Sequence, residues 1–191
     1  MRLVFIAGSP RRKSRTRVLV ERARDHARNE HPECETDLLD LAATTPEPFK
    51  DWETEYSDAT RNVVERVLAS DAMVVGSPVF NGSYSSAVKN LFEHIDYKEL
   101  EGMVAGFIVV GGGDQSFLQV RAHLAQLMAY YRVPVVPRAV FATEEQVDEG
   151  PPEKILKRID RLVDATFAAA TGARAAADAE RKMEREHAPQ A

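Results

Sequence analysis

The segment Gly8-Ser9-Pro10-Arg11-Arg12-Lys13-Ser14-Arg15-Thr16 brings hydroxyls and cations into one turn between an apolar run and a stretch with helical spacing. Such a turn can hold an anion. Free backbone N–H groups at a helix start and the positive end of its dipole favour negative charge. The hydroxyls of Ser9, Ser14 and Thr16 can donate to phosphate oxygens, and Arg11 and Lys13 add fixed charge. The turn lacks the second glycine and the Gly-Lys-Ser/Thr ending of a Walker A loop, and it is not a Gly-x-Gly-x-x-Gly dinucleotide turn. Anchoring a phosphate is therefore the expected chemistry, and nucleotide hydrolysis is not.

Two further turns follow apolar runs. The first, Gly76-Ser77-Pro78-Val79-Phe80-Asn81-Gly82-Ser83-Tyr84-Ser85-Ser86-Ala87-Val88-Lys89-Asn90, leads into a helix. The second, Gly111-Gly112-Gly113-Asp114-Gln115-Ser116, has no Cβ over three positions, so backbone can approach the edge of a flat ligand. Together with Gly-Ser-x-Arg-x-x-Ser-x-Thr in the opening turn, the stretch from Ser77 to Asn90 resembles the NADPH-dependent FMN reductase family. That family carries Ser-Pro-x-Tyr-Asn-Gly-Ser-x-Pro-Gly-x-Leu-Lys-Asn. Here Phe80 stands for the tyrosine, Ser85-Ser86 for Pro-Gly, and Val88 for Leu, and the likeness covers roughly residues 1 to 141.

The resemblance implies a flavodoxin-like fold with bound FMN, reduced by NADPH or NADH. Electrons would pass to a small acceptor such as a flavin, quinone, azo compound or metal oxyanion. It places Ser9, Arg11, Lys13, Ser14 and Thr16 on the phosphate. Pro78, Val79 and Phe80 offer apolar surface beside the ring, and Asn81, Gly82 and Ser83 offer donors to ring and ribityl oxygens. N–H groups at Gly111, Gly112 and Gly113 would meet the pyrimidine edge, where charge gathers when the ring accepts hydride. No catalytic side chain is expected, because hydride passes directly to flavin N5. Family membership also implies a homodimer or homotetramer and alternating entry of donor and acceptor at one open face.

Elements that could position these turns are legible in the periodicity. Apolar runs without polar alternation at Leu3–Ala7, Ala72–Gly76 and Val104–Val110 read as strands buried on both faces, the habit of a parallel sheet. Glu35–Leu39 is a weaker run, and Val133–Phe141, with Pro134 and Pro137, fits a sheet edge. Helical spacing occupies Arg15–Asn29, Asp58–Ala69, Ala87–Ile95, Phe117–Arg132 and Pro152–Ala170. Ser57 is an N-cap candidate, and Pro32 closes the first helix. The alternation predicts an α/β flavodoxin-like domain over residues 1–172, a five-stranded parallel sheet of order 2-1-3-4-5 with helices on both faces. Ligands of such sheets sit beyond the strands' carboxyl ends, where the three unusual turns fall. The Ala- and charge-rich tail over 173–191 reads as a solvated helix or frayed end, and Ala42–Tyr56 as a long connection.

A chain of 191 residues with net charge -5 carries no concentrated positive field for nucleic acid or an anionic membrane. Its one cysteine, Cys34, permits no intrachain disulfide and suits a reducing compartment, so a soluble cytoplasmic protein is expected. His26, His31, His94, His123 and His187 show no metal-ligand spacing, so no metal is expected. No Gly-x-Ser-x-Gly elbow is present. Two other readings keep the same fold. One is a flavodoxin-type electron carrier or FMN-binding sensor without its own NAD(P)H turnover. The other is a response-regulator-like module, whose acidic pair and phosphoacceptor Asp have no counterpart at Gly8-Ser9 and Ser77-Pro78.

Overall fold

The computed structural model describes residues 1–113 and 117–187, with the backbone alone at 181, 182 and 184–187. Five parallel strands form one sheet of order β2-β1-β3-β4-β5: β1 (Arg2–Ala7), β2 (Glu35–Asp40), β3 (Ala72–Pro78), β4 (Val104–Gly111) and β5 (Val135–Thr143). The central strands β1, β3 and β4 are the ones whose residues are almost all buried, as their unbroken apolar runs require. Alternation along them divides the core in two. Val4, Ile6, Met73, Val75, Phe107 and Val109 face α2 (Asp58–Leu68), α3 (Ser86–Glu93) and α4 (Phe117–Tyr130). Leu3, Phe5, Val74, Ile108 and Val140 face α1 (Arg15–Glu30) and α6 (Glu153–His187).

Most elements begin and end within two residues of the sequence reading, and three features depart from it more clearly. The last strand starts at Val135, not at Val133, because the chain leaves α4 through Arg132 at φ 56° and Val133 N–H closes on the Met128 carbonyl at 2.9 Å. That turn consumes Val133 and Pro134. A short helix, α5 (Glu144–Asp148), was not anticipated; Thr143 and Gln146 form a capping box that starts it. The helix expected to end at Ala170 runs through Gly172 to His187, and Arg174 ties the extension to Asp71 at 3.0 Å. Asp114–Ser116 of the glycine-rich turn and the end of the tail, 188–191, lie outside the described residues.

The edge strand β2 is held from one side by a charge cluster. Arg66 forks onto Asp37 at 2.9 and 2.6 Å and reaches the Leu38 carbonyl at 2.8 Å, and Arg2 meets Asp37 at 3.0 Å. The Arg66 hydrogen bonds, helped by its charge and by Arg2, hold the Asp37 carboxyl below its ordinary 3.8. A carboxyl whose folded value is depressed contributes stability above its unfolded value and loses it as pH falls through the folded one. Arg66→Ala should therefore lower unfolding free energy by about 1.5–3 kcal/mol at neutral pH. Its urea midpoints should also fall less steeply than the wild type's below the ordinary carboxylate value. Parallel pH profiles would contradict this assignment.

Candidate functional site

The opening turn and the turn after β3 meet where the strand order reverses, between β1 and β3. Gly8 N–H donates to the Gly76 carbonyl at 2.8 Å, and the Gly8 carbonyl accepts a short hydrogen bond from the Ser85 hydroxyl. Ser85 is wholly buried and caps α3, accepting from Val88 N–H at 3.2 Å. Its own N–H donates to Ser77 Oγ at 2.9 Å. A serine at the position of the family pattern's proline thus stitches the two turns together. The Ser-x-x-Val start of α3 carried that capping signal, and the sequence reading passed over it.

At the head of α1, Ser14 is the N-cap and its Oγ accepts from Arg17 N–H at 3.1 Å. The N–H groups of Arg15 and Thr16 have no acceptor within the helix, so a positive helix end faces the cleft. Ser9 and Thr16 are 3% and 1% exposed, and Ser9 Oγ accepts from Arg11 N–H at 3.2 Å. Arg15 also lines the cleft, but its charge is committed: it forks onto Asp148 at 2.7 Å through two nitrogens and reaches Glu144 at 2.9 Å. This clamp seats α5 against α1 and neutralises Glu144, the one carboxylate lining the cleft among the described residues. Arg15 also holds the Asp148 carboxyl below its ordinary value, chiefly by hydrogen bonding. Arg11, Arg12 and Lys13 keep no carboxylate partner among the described residues.

Ser9, Arg11, Lys13, Ser14 and Thr16 share the cleft with Pro78, Phe80 and Val110. The Arg11 guanidinium lies 5.0 Å over the Phe80 ring, and the enclosed volume is about 20 Å³. A space of that size admits the charged end of a ligand after Arg11 swings aside, while a ring must lie at the open mouth. Phe80-Asn81-Gly82-Ser83 form a tight turn closed by two backbone hydrogen bonds of 2.9 and 3.0 Å, with φ 49° at Asn81 and 75° at Gly82. Asn-Gly suits that turn because both central residues need positive φ.

Not every expected residue points into the cleft. Val79 packs on the core and gives its N–H to the Val110 carbonyl at 2.8 Å. Ser83 Oγ pairs with His123 Nδ1 at 3.0 Å, and a Cβ added to Gly82 would lie 3.4 Å from Gln119, so α4 backs this turn. No sequence signal marked His123 or Gln119. Gly111 allows a close approach, since a Cβ there would sit 2.8 Å from Val79 Cγ2; Gly112 and Gly113 border open space. Among the described side chains the other histidines are engaged structurally: His94 with the Glu47 carbonyl at 2.8 Å, and His26 and His31 with Asp164 at 2.9 and 3.0 Å.

A strand order of 2-1-3-4-5 with an anion-favouring turn at the reversal defines the flavodoxin-like class of nucleotide-binding folds. An oxidoreductase structure from Corynebacterium diphtheriae superposes with a TM-score of 0.75 at 26% identity, covering 90% of this chain and 97% of that one. The family model for NADPH-dependent FMN reductase matches residues 1–148. A NAD(P)H-dependent FAD/FMN reductase of Geobacillus thermodenitrificans is 34% identical over 138 residues, 71% of this chain and 74% of that one. An NADPH azoreductase of a Bacillus species is 28% identical over 152 residues, 78% of this chain and 81% of its own. The chain belongs to the NADPH-dependent FMN reductase family. It is an oxidoreductase of that family, with FMN as cofactor and NADPH or NADH as hydride donor.

Proposed function

We propose that the cleft between the two turns holds FMN by its phosphate and that the enzyme passes reducing equivalents to a flavin, quinone, azo compound or similar small acceptor. The observation that carries this reading is a built anion cradle. Unpaired Arg11 and Lys13, buried Ser9 and the free N–H groups opening α1 converge beside Pro78 and Phe80. Ser14 and Thr16 complete the phosphate contacts. Pro78 and Phe80 provide the apolar bed for the ring, backed by Val79. Asn81, Gly82, Ser83 and the glycines 111–113 border its polar edge. The chemistry FMN supplies when bound is hydride exchange at its ring. The protein's part is to anchor, to orient and to leave one face open to donor and acceptor in turn.

We place the enzyme in the cytoplasm, a compartment suited to Cys34. That thiol is 7% exposed, and burial raises its pKa above the ordinary value. No described helix is long and apolar enough to cross a membrane. The outer side of α4, with Ala122, Ala129 and a Tyr130 that is 66% exposed, supports assembly as a homodimer or homotetramer beside the site. Sedimentation of a monomer at micromolar concentration would refute that assembly.

Titration with FMN should shift and sharpen the flavin absorbance bands at one site per chain. Anaerobic NADPH or NADH should then bleach the bound flavin, and a quinone or azo dye should restore it. Protein that ignores FMN would overturn the reading. Tight FMN binding without bleaching by either nucleotide would support the electron-carrier alternative instead.

A further inference from the structure

Apart from the cleft at the strand reversal, a groove of about 430 Å³ runs along the outer edge of β5, between α4 and α6. The groove is cationic. Arg121, Arg138, Arg158 and Arg161 line it with Phe117 and Phe141, and among the described residues no carboxylate takes part. Arg121 is held to the Pro137 carbonyl at 3.2 Å, whereas Arg138, Arg158 and Arg161 have no partner among the described residues. Elsewhere this acidic chain pairs its arginines freely, as at Arg2, Arg15, Arg17, Arg66 and Arg174.

Three unpaired guanidiniums in one groove repel, and two of them, Arg158 and Arg161, are three residues apart on one helix. Another unpaired cationic cluster among the described residues is the opening turn, with Arg11, Arg12 and Lys13. An anion would relieve the repulsion, and planar guanidinium forks match phosphate oxygens in pairs. Two more features narrow the ligand. The Phe117 and Phe141 rings lie 5.1 Å apart at the upper end, a surface on which a purine can stack. The volume also falls within the range of about 300–1,000 Å³ usual for small-molecule sites. The ligand chemistry is therefore that of a nucleoside carrying more than one phosphate.

The edge strand presents this groove through a local irregularity. Between Ala105 and Phe107 of β4 the partners on β5 jump from Val135 to Ala139. Pro137 and Arg138 are thereby released from regular pairing and exposed on the edge. The upper end adjoins the proposed flavin slot, since a Cβ on Gly111 would lie 3.5 Å from the Phe141 ring. A hydride donor lying over the ring must send its second half somewhere, and the groove opens next to the glycine bend.

We propose that this groove binds the adenosine end of the hydride donor, and that Arg138, Arg158 and Arg161 select NADPH over NADH through its 2′-phosphate. The proposal rests on the FMN-reductase reading given above. Its test uses the FMN-loaded protein with adenosine 2′,5′-bisphosphate as calorimetric probe and as inhibitor. The bisphosphate should bind, compete with NADPH, weaken with added salt, and outbind 5′-AMP. In R158Q/R161Q, and separately in R138Q, probe affinity should fall about tenfold or more for each charged hydrogen bond lost. KM for NADPH should rise in parallel, while KM for NADH moves little and kcat and FMN affinity hold.

All three side chains are exposed, so the thermal midpoint should not move and a folding defect is separable. Absence of probe binding, inhibition not competitive with NADPH, or an unchanged KM for NADPH in both variants would each overturn the proposal. Titrating the apoprotein with the same probe separates the two readings. Failure of FMN binding with the probe still bound would refute the cofactor site alone, and the converse would refute the groove alone.

Discussion

Gly8→Ala should both destabilise the protein and strip it of FMN affinity. An added Cβ would lie 2.2 Å from Val88 Cγ2 and 2.4 Å from the Gly76 carbonyl oxygen. Neither neighbour can yield easily. Val88 is fully buried in the layer of α3, and the Gly76 carbonyl accepts the Gly8 N–H while Gly76 itself pairs with Ala7 in the β1–β3 register. Relief requires prising the opening turn from the turn after β3, at the point where the Ser85 hydroxyl joins them. Overpacking of this kind costs about 1–3 kcal/mol, and the displaced turns are the ones assigned to the cofactor. Urea unfolding should show a lower midpoint at unchanged slope. Gly112→Ala, which adds a Cβ into open space, should unfold as the wild type does.

A second substitution sharpens the argument. Val88→Ala removes one of the two clashes and leaves the carbonyl, so the Gly8→Ala/Val88→Ala double variant should cost less than the two singles added together. Strict additivity would mean that Gly8 does not press on α3, and the steric account would then fail.

The parts of the fold that could be read from sequence were those where one physical demand dominates. Leu3–Ala7, Ala72–Gly76 and Val104–Val110 must bury both faces, and the structure places them centrally. Ser57 caps α2 as its type and place suggested, accepting from Thr60 N–H. Reading failed where several demands compete. Residues 133 and 134 have strand character, yet closure of α4 takes them. The capping box at Thr143 was visible as Thr-x-x-Gln, but five residues carry too little periodicity to announce a helix. Helical spacing stops at Ala170 because the tail beyond it has little to bury, yet its alanines carry α6 on as the solvated helix that was one of the two readings of residues 173–191.

The site divides along the same line. Residue type foretold which turns converge, because hydroxyls, cations and a strand's carboxyl end point to the same ligand chemistry. Partners distant in sequence were hidden. The Arg15 clamp on Asp148 and Glu144 spans more than a hundred residues, and the Ser83–His123 pair joins two separate elements. Ser14 and Ser85 show a further ambiguity, since one hydroxyl can serve a helix cap or a ligand. Ser85 is committed to the scaffold, while Ser14 accepts from Arg17 N–H and still has a proton to donate.

Arg11→Ala should weaken FMN binding about 10- to 150-fold, the equivalent of the 1.5–3 kcal/mol typical of a hydrogen bond to a charged group. Unlike Arg15, Arg11 has no carboxylate partner among the described residues; its guanidinium rests on the Phe80 ring, 5.0 Å from the centroid. That contact is worth about 0.5–1 kcal/mol at an exposed site. Lifting Arg11 from Phe80 towards a phosphate therefore costs less than the charged contact returns, and it bares the aromatic face at the cleft mouth. One residue would then couple the phosphate end of the site to the ring end. Arg11→Lys keeps the charge but loses the planar fork, so its affinity should fall between wild type and Arg11→Ala. Folding should be unaffected in both, because the side chain makes no buried contact that the core depends on. Arg28→Ala, which removes an exposed cation from the far end of α1, should bind FMN normally and so exclude a general electrostatic effect. The Arg11→Ala defect should also shrink as salt rises from about 50 to 500 mM, since exposed charges are screened over a shorter distance. An Arg11→Ala protein with wild-type FMN affinity would remove the anion cradle from the opening turn.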